Sequence, residues 1–582
     1  MMDNLIGAPE ASGGYTIYTS PSDREPLRRM PGSPSIPADA GNPSRPSRRQ
    51  GRRKTIAVFA VFAVALAGLL AIHRDLSVTL GNSEWDYVGQ VYNGGEGALD
   101  RAASLRSALQ PDGFHGPGYA LAAWATGAAL RLAGISVEVF RAAQLVTALS
   151  ALLLLLAGWR IGRAMGVPPE LEWLPPALVA CAWPFVSLAG QVTSQIPAAA
   201  LVALAASLLL DGTRRRNTFG AGVVLGLALL LRAHVLLSFP AFLFATLVLA
   251  GRRTSPRHRI LLAGSLSAGF ILGAAPRLLL DFVQTGSPLF TIRPQILRAI
   301  LLEGGLEAYR PDPASLLSIV LAQPGFFLSA FIRTYAFFLA AFLLPLAPAL
   351  AILLRGRSDR RRAMASAALL CLIPLGVSLQ PTPAIRFVIE LFPIAAAIGA
   401  SAVAAIAAGR GGRILTAALA ATIAALFAID LGLLADKYRL DLPEAGLRKA
   451  LSRSGTTGPT VLVVPGIATD QGSYVNAIRY RLRRVDARFL PAPPALGPDD
   501  LRRLGAPPPV FLLLVPILDT GPSVLMDKLM GRDRLVFSPR PPEAAGLSSR
   551  SLFHDATSGV ELFLVGGERS AAQPSFGDPD RR

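Results

Sequence analysis

Cysteine is nearly absent: Cys181 and Cys371 are the only two in 582 residues. Both fall inside apolar segments, which argues against a disulfide framework and a cysteine-based metal site. Charge is scarce as well, at 16% of residues against 52% hydrophobic, and mean hydropathy is +0.45. That balance excludes an all-soluble enzyme, a collagen-like fibre and a mainly disordered chain. Apolar runs of spanning length recur instead from residue 54 to residue 435, so the chain reads as an integral membrane protein. Acids are the rarer sign, 38 against 57 Lys and Arg, for a net charge of +19. The arginines stand in short clusters between apolar segments, not on an aromatic-studded basic face. Topology accounts for them, and nucleic acid is not expected as a partner.

Residues 1–53 are rich in Ser, Pro, Gly and Arg and carry too little apolar surface to offset the entropy of ordering, so they read as a disordered tail. The tail ends in Arg48-Arg49-Gln50-Gly51-Arg52-Arg53-Lys54, directly before the first apolar run. A secretory signal would have a much shorter lead-in and a small-residue cleavage site, so a retained span with a cytoplasmic tail is expected. The basic cluster also suits contact with anionic lipid. Apolar runs between basic clusters number about eleven: 54–72, 142–158, 173–192, 196–211, 219–231, 235–250, 260–276, 325–354, 363–379, 387–408 and 414–435. The odd count puts the C-terminal segment opposite the N-terminus. The outer surface then comprises the 73–141 loop, the turns at Thr193–Pro197, Arg232–His234 and Gln380–Arg386, and a loop over 277–324. Residues 115–134 are expected as a juxtamembrane or re-entrant helix on that face.

Ionisable groups beside apolar helices are costly unless paired or used, and here they gather on the expected outer face. Asp75, Glu84 and Asp86 are its acids; His115, Arg232, His234, Arg277 and Arg386 are its bases. A carboxylate with several cations suits a lipid-linked phosphate and a hydroxyl to be activated. An anion transporter, or a set of structural ion pairs, fits the same residues.

The order of motifs resembles the GT-C membrane glycosyltransferases, in the protein O-mannosyltransferase and aminoarabinose-transferase branch that uses polyprenyl-phosphate sugars. The resemblance covers 54–435 and rests on these stretches in sequence: Glu84-Trp85-Asp86-Tyr87; His115-Gly116-Pro117-Gly118-Tyr119 with Arg131-Leu132-Ala133-Gly134; Ile161-Gly162-Arg163-Ala164-Met165-Gly166; Gly226-Leu227-Ala228-Leu229-Leu230-Leu231-Arg232; Asp281–Phe290; and Arg386 through Pro393. It departs from the family at three points. Where the family's first-loop acid is usually Asp, the aligned choices are Glu84 or Ser83, with Asp86 two residues further on. Ser194-Gln195-Ile196-Pro197 stands where a second acid often stands, which disfavours a divalent cation, since hard cations want several oxygen anions. His115 replaces a phosphate-contacting Lys.

The resemblance implies transfer of a sugar from a polyprenyl-phosphate donor to a hydroxyl of a lipid, glycan or protein, with inversion, at the outer face of the cytoplasmic membrane. Glu84, with Asp86 as the alternative, would be the base. Arg232, Arg386 and His115 would hold phosphate, and Tyr87 and Tyr119 would either touch donor or pack at the interface. No metal ligands are assigned. A transporter or flippase for a lipid-linked saccharide and a non-catalytic scaffold are the competing readings. From residue 436 the composition changes. Strand-like runs at Thr460–Val464, Val510–Val515, Arg534–Phe537 and Val560–Val565, with helix-like Gln471–Arg484 and Gly521–Met530, predict a small soluble α/β domain over 436–582 outside the membrane. Gly466–Asp470 is a weak phosphate-turn candidate there.

Overall fold

The computed structural model describes residues 45–72, 105–109, 116–137, 139–212, 214–251, 254–288, 316–355, 360–379, 385–407, 412–439, 443–454 and, discontinuously, 460–565. They fall in one compact unit, Pro46–Arg582. The helices are α1 Arg45–Ile72, α2 Gly118–Leu132, α3 Val139–Ala164, α4 Leu174–Ala180, α5 Trp183–Ala189, α6 Gln195–Asp211, α7 Arg215–Leu229, α8 Phe239–Ala250, α9 Pro256–Thr285, α10 Pro324–Phe338, α11 Leu344–Arg355, α12 Arg360–Val377, α13 Phe392–Ala407, α14 Gly412–Arg439 and α15 Glu444–Arg453.

Every expected span has its helix. Seven of the described stretches are long and apolar enough to cross a membrane, and α4 and α5 form an eighth, bent by 71°. The chain is a multi-pass membrane protein. The remaining three, α6, α7 and α12, are shorter or carry an arginine run at one end. At about 1.5 Å per residue, α6 and α7 reach about 25 and 22 Å, short of a hydrocarbon core of about 30 Å. Helix α6 is largely buried by protein, with 13 of its 17 residues buried, so its length is not tied to lipid.

Helices α7 and α9 approach most closely. A Cβ on Gly222 or Gly226 would lie 2.2 or 2.3 Å from the carbonyl oxygen of Leu266 or Phe270, and one on Gly269 or Gly273 would lie 2.2 Å from that of Phe219 or Val223. Two Gly-xxx-Gly faces therefore interlock backbone to backbone, the dispersion-driven contact that suits helices in lipid.

Helix α9 overturns one expectation. The sequence reading ends that span at 276 and opens a loop at Arg277, yet the helix continues through Pro276 to Thr285. It stops where Gly286, at φ 73°, takes the left-handed cap and returns its N–H to the Phe282 carbonyl. Within the extension Arg277 pairs with Asp281 one turn on, so neither charge is buried alone. Residues 289–315 lie outside the described residues.

The C-terminal part holds a five-stranded sheet in the order β2-β1-β3-β7-β6 and a two-stranded β4-β5 pair. The strands are β1 Val461–Pro465, β2 Arg488–Ala492, β3 Val510–Leu514, β4 Ile517–Leu518, β5 Leu535–Phe537, β6 Ser549–Asp555 and β7 Val560–Val565. Pairings β1–β2 and β1–β3 are parallel; β3–β7 and β6–β7 are antiparallel. Alternate residues feed two cores, Leu462, Val464, Phe511 and Leu513 with Leu447 of α15 on one face, and Val461, Val463, Leu512 and Leu514 on the other. A sheet covered on both faces explains why β1 and β3 read as unbroken apolar runs. The four expected strands are present; β2, β4 and β6 are additional. Most of Gln471–Arg484, and all of Gly521–Met530 and Gly466–Asp470, lie outside the described residues.

Candidate active site

Helix α7 ends at Leu229, and the chain turns extended at Arg232 (φ −148°, ψ 127°) before a 3-10 helix over Ala233–Ser238. A helix end leaves carbonyls without intrahelical donors. Here the segment entering α2 supplies them: the Gly116 N–H donates to the Leu231 carbonyl at 3.1 Å and the Gly118 N–H to that of Leu230 at 3.0 Å. The glycines are needed for this clip. A Cβ on Gly116 would lie 1.7 Å from the Leu230 oxygen and 2.7 Å from Nη1 of Arg277. The Gly116–Tyr119 element is thereby pinned beside both Arg232 and Arg277.

Tyr119 anchors the other side of the clip. It is fully buried, and its hydroxyl donates to the Ala143 carbonyl at 2.9 Å and is bonded to Thr147 Oγ1 at 2.8 Å. Thr147 Oγ1 in turn accepts from the Thr193 N–H at 3.5 Å. The Gln144 amide donates to the Gly190 carbonyl at 3.1 Å, and Arg141 to Gln144 Oε1 at 2.8 Å. This ladder ties the α5–α6 turn to α3. The Thr193 hydroxyl then accepts the Gln195 N–H at 3.1 Å and opens α6. Beside it Gln191, Ser194 and Gln195 are buried, each with side-chain polar atoms that have no hydrogen-bond partner among the described residues. Such groups cost about 1–3 kcal/mol each when left dry, which marks this end as polar ground retained for contact.

Arg232, 3% exposed, shares a narrow cavity with Gln195, His234 and Glu390. Its volume of about 10 Å³ admits about one water. Glu390, 5% exposed, is carried by the 3-10 helix Ile385–Leu391, which is kinked at Val388 (φ −131°, ψ 29°). Arg386 belongs to the same short helix. Deeper in α9, Arg277 and Asp281 form a buried ion pair, Nε to Oδ2 at 2.6 Å, exposed 1% and 0%.

Four of the places expected on one membrane face thus meet at one end of the bundle: the 116–119 element, the 193–195 turn, the Arg232–His234 turn and the 385–390 segment. Arg277, expected in a loop, joins them from inside a helix. Glu84, Asp86, Tyr87 and His115 lie outside the described residues, as does the side chain of Arg386. Sequence reasoning gave Glu390 no role and saw Gln195 only as a missing acid. The signal for Glu390 was available, since it is an ionisable residue inside Val388-Ile389-Glu390-Leu391-Phe392. Among the described residues no three His, Cys, Asp or Glu side chains come together as a metal cluster would.

No family model and no curated protein matches the sequence. Among solved structures the chain is similar to ArnT from Cupriavidus metallidurans bound to undecaprenyl phosphate, at 13% identity and a TM-score of 0.47, covering 88% of this chain and 99% of that one. It is similar to the apo form at 13% identity and a TM-score of 0.46, covering 87% and 97%. The Archaeoglobus fulgidus oligosaccharyltransferase in complex with zinc and sulfate follows at 16% identity and a TM-score of 0.43, covering 74% of this chain and 62% of that one. Both proteins are GT-C superfamily members. At these values the functional reading rests on the residues of the site.

Proposed function

We propose that the chain is an integral-membrane glycosyltransferase. It moves a sugar from a polyprenyl-phosphate donor to a hydroxyl of a lipid, glycan or protein at the outer face of the cytoplasmic membrane. The observation that carries this is the buried Arg232 beside His234 and Glu390, with the Gly116–Gly118 clip on the two carbonyls just before it. A lipid phosphate leaving group needs cations more than a general acid, and this end of the bundle concentrates them. In the reaction, Glu84 or Asp86 takes the acceptor proton, the acceptor oxygen bonds to the anomeric carbon, and the bond to phosphate oxygen breaks with its electron pair staying on phosphate. Direct displacement inverts the anomeric centre. Arg232 and Arg386 present planar forks to the phosphate, with His115 beside them. Tyr119, its hydroxyl already engaged, acts here as an anchor for the 115–119 element, and Tyr87 lines the donor side. Glu390 and Gln195 line the cavity beside Arg232. Among the described residues few anions converge at the site, and no divalent cation is assigned.

One observation favours a second reading, a lipid-linked saccharide transporter: the 71° break between α4 and α5, since transporters build sites on discontinuous helices. The test is transfer of radiolabelled sugar from a panel of polyprenyl-phosphate sugars to an envelope extract, with Glu84→Gln, Asp86→Asn and Arg232→Lys alongside. Loss of turnover in one acid variant identifies the base. Donor binding without turnover in any protein overturns the enzyme reading.

A further inference from the structure

A second feature lies at the opposite end of the bundle, away from Arg232. An open groove runs between α1, α4 and α14 in two stretches of about 770 and 900 Å³ that share Ala57, Val58, Trp173 and Ala420. Alanines of α1 and α14 keep it wide. Helix α1 is pinned at both ends of it, by Gly51, whose Cβ would lie 1.8 Å from the Pro169 carbonyl oxygen, and by the Phe62–Phe185 stack at 5.5 Å.

Three observations say what fits. From Lys54 at the mouth to Ala65 is eleven residues of α1, about 16 Å, the depth of one leaflet of a hydrocarbon core of about 30 Å. Among the described residues lining the mouth, the charged ones are Lys54 and Glu170, both exposed. Among the described residues no ion pair joins them. Between mouth and apolar stretch stands Trp173, 8% exposed, its indole Nε1 without a hydrogen-bond partner among the described residues. A buried indole N–H ordinarily finds one.

We propose that this groove binds a single aminophospholipid of the leaflet bordering Lys54. Its phosphate meets Lys54 and its primary ammonium meets Glu170. One acyl chain lies along the groove toward Phe62, and an ester oxygen accepts from Trp173. The headgroup is specified by the two opposite charges. Phosphatidylglycerol has no cation for Glu170, and the quaternary ammonium of phosphatidylcholine has no N–H to donate. A polyprenyl chain is longer than the one-leaflet groove. The site is independent of the glycosyltransferase reading, which concerns the other end of the bundle.

The test is native mass spectrometry of the full-length protein after detergent exchange, with dioleoyl phosphatidylethanolamine, phosphatidylglycerol, phosphatidylcholine and undecaprenyl phosphate added at equal concentration. One phosphatidylethanolamine is expected to be retained at least about fivefold over the others, the order given by one charge-assisted contact. That preference is expected to vanish in Lys54→Gln/Glu170→Gln, both at the solvent-facing mouth. Retention of any lipid at the site is expected to fall in Ala424→Phe, which narrows the groove from a position exposed on its wall. Equal retention of the three phospholipids, preference for undecaprenyl phosphate, or a preference unchanged in all variants overturns the proposal and leaves the groove to bulk lipid.

Discussion

Asp281 and Arg277 hold their charges 2.6 Å apart with both side chains out of solvent, in a helix of a chain otherwise poor in charge. Such a pair contributes little by itself, because desolvating both ions offsets their attraction, but removing one partner strands the other. Asp281→Asn is therefore expected to destabilise the protein by about 3–5 kcal/mol, read as a fall in thermal midpoint in detergent, and Arg277→Met/Asp281→Leu to recover part of it. A double variant no better than the single would mean the two charges are not coupled. Arg232 differs in kind: it lies on extended backbone beside a cavity, positioned for use. Arg232→Lys keeps the charge and loses the fork, so turnover is expected to fall about 10- to 100-fold while the thermal midpoint holds. Unchanged turnover would remove Arg232 from the phosphate contacts.

Elements were legible in the sequence wherever lipid or core imposes a period, and less so where polar residues interrupt it. All eleven apolar runs became helices because apolar length leaves the backbone no other way to satisfy itself in a bilayer. The end of α9 was misread because Arg277 and Asp281 look like loop residues until their i, i+4 spacing is seen to neutralise them on one helix face. Strand β2 was missed because Pro491 lies within it; as an edge strand it tolerates a residue that cannot donate. Strand β6 carries only two apolar residues, Leu552 and Phe553, and has a register shift between Ser551 and Phe553, a weaker signal than the continuous runs of β1 and β3. At the site, Arg232 and the Gly116–Tyr119 element were legible from motif order. Glu390 and the α7–α9 glycine contact were not, because their meaning depends on which helices touch. That contact makes its own prediction: Gly226→Leu forces apart backbones whose Cβ-to-oxygen distance would be 2.3 Å. It is expected to lower the thermal midpoint and impair turnover together, since the carbonyls at 230 and 231 move with α7. Gly264→Leu, where a Cβ meets nothing within 4 Å, is the matched control expected to do neither.

At the scale of the whole molecule, the basic clusters and the count of crossings must agree. Seven long apolar helices, the bent α4–α5 pair and the three others make eleven only if α6, α7 and α12 cross as well. Helix α6 is too short to bridge the core alone, yet it is wrapped by protein and its ends open on polar turns, so a crossing there does not expose backbone to lipid. Arginines stand at the α6–α7 and α8–α9 connections and at the start of α12, which keeps each of those ends on the basic side. The count then puts the start of α1 and the residues after α14 on opposite sides. In a variant with Cys181 and Cys371 replaced, a cysteine at Ser47 and one at Ser452, exposed on α15, are expected to react with a membrane-impermeant maleimide from opposite faces of sealed inverted and right-side-out vesicles. Labelling of both from the same face would remove one crossing, and α6, largely buried and shorter than the hydrocarbon core, would be the one to give up. The site at its N-terminal end would then lie within a re-entrant segment, and the donor phosphate would have to approach from the side of the bundle.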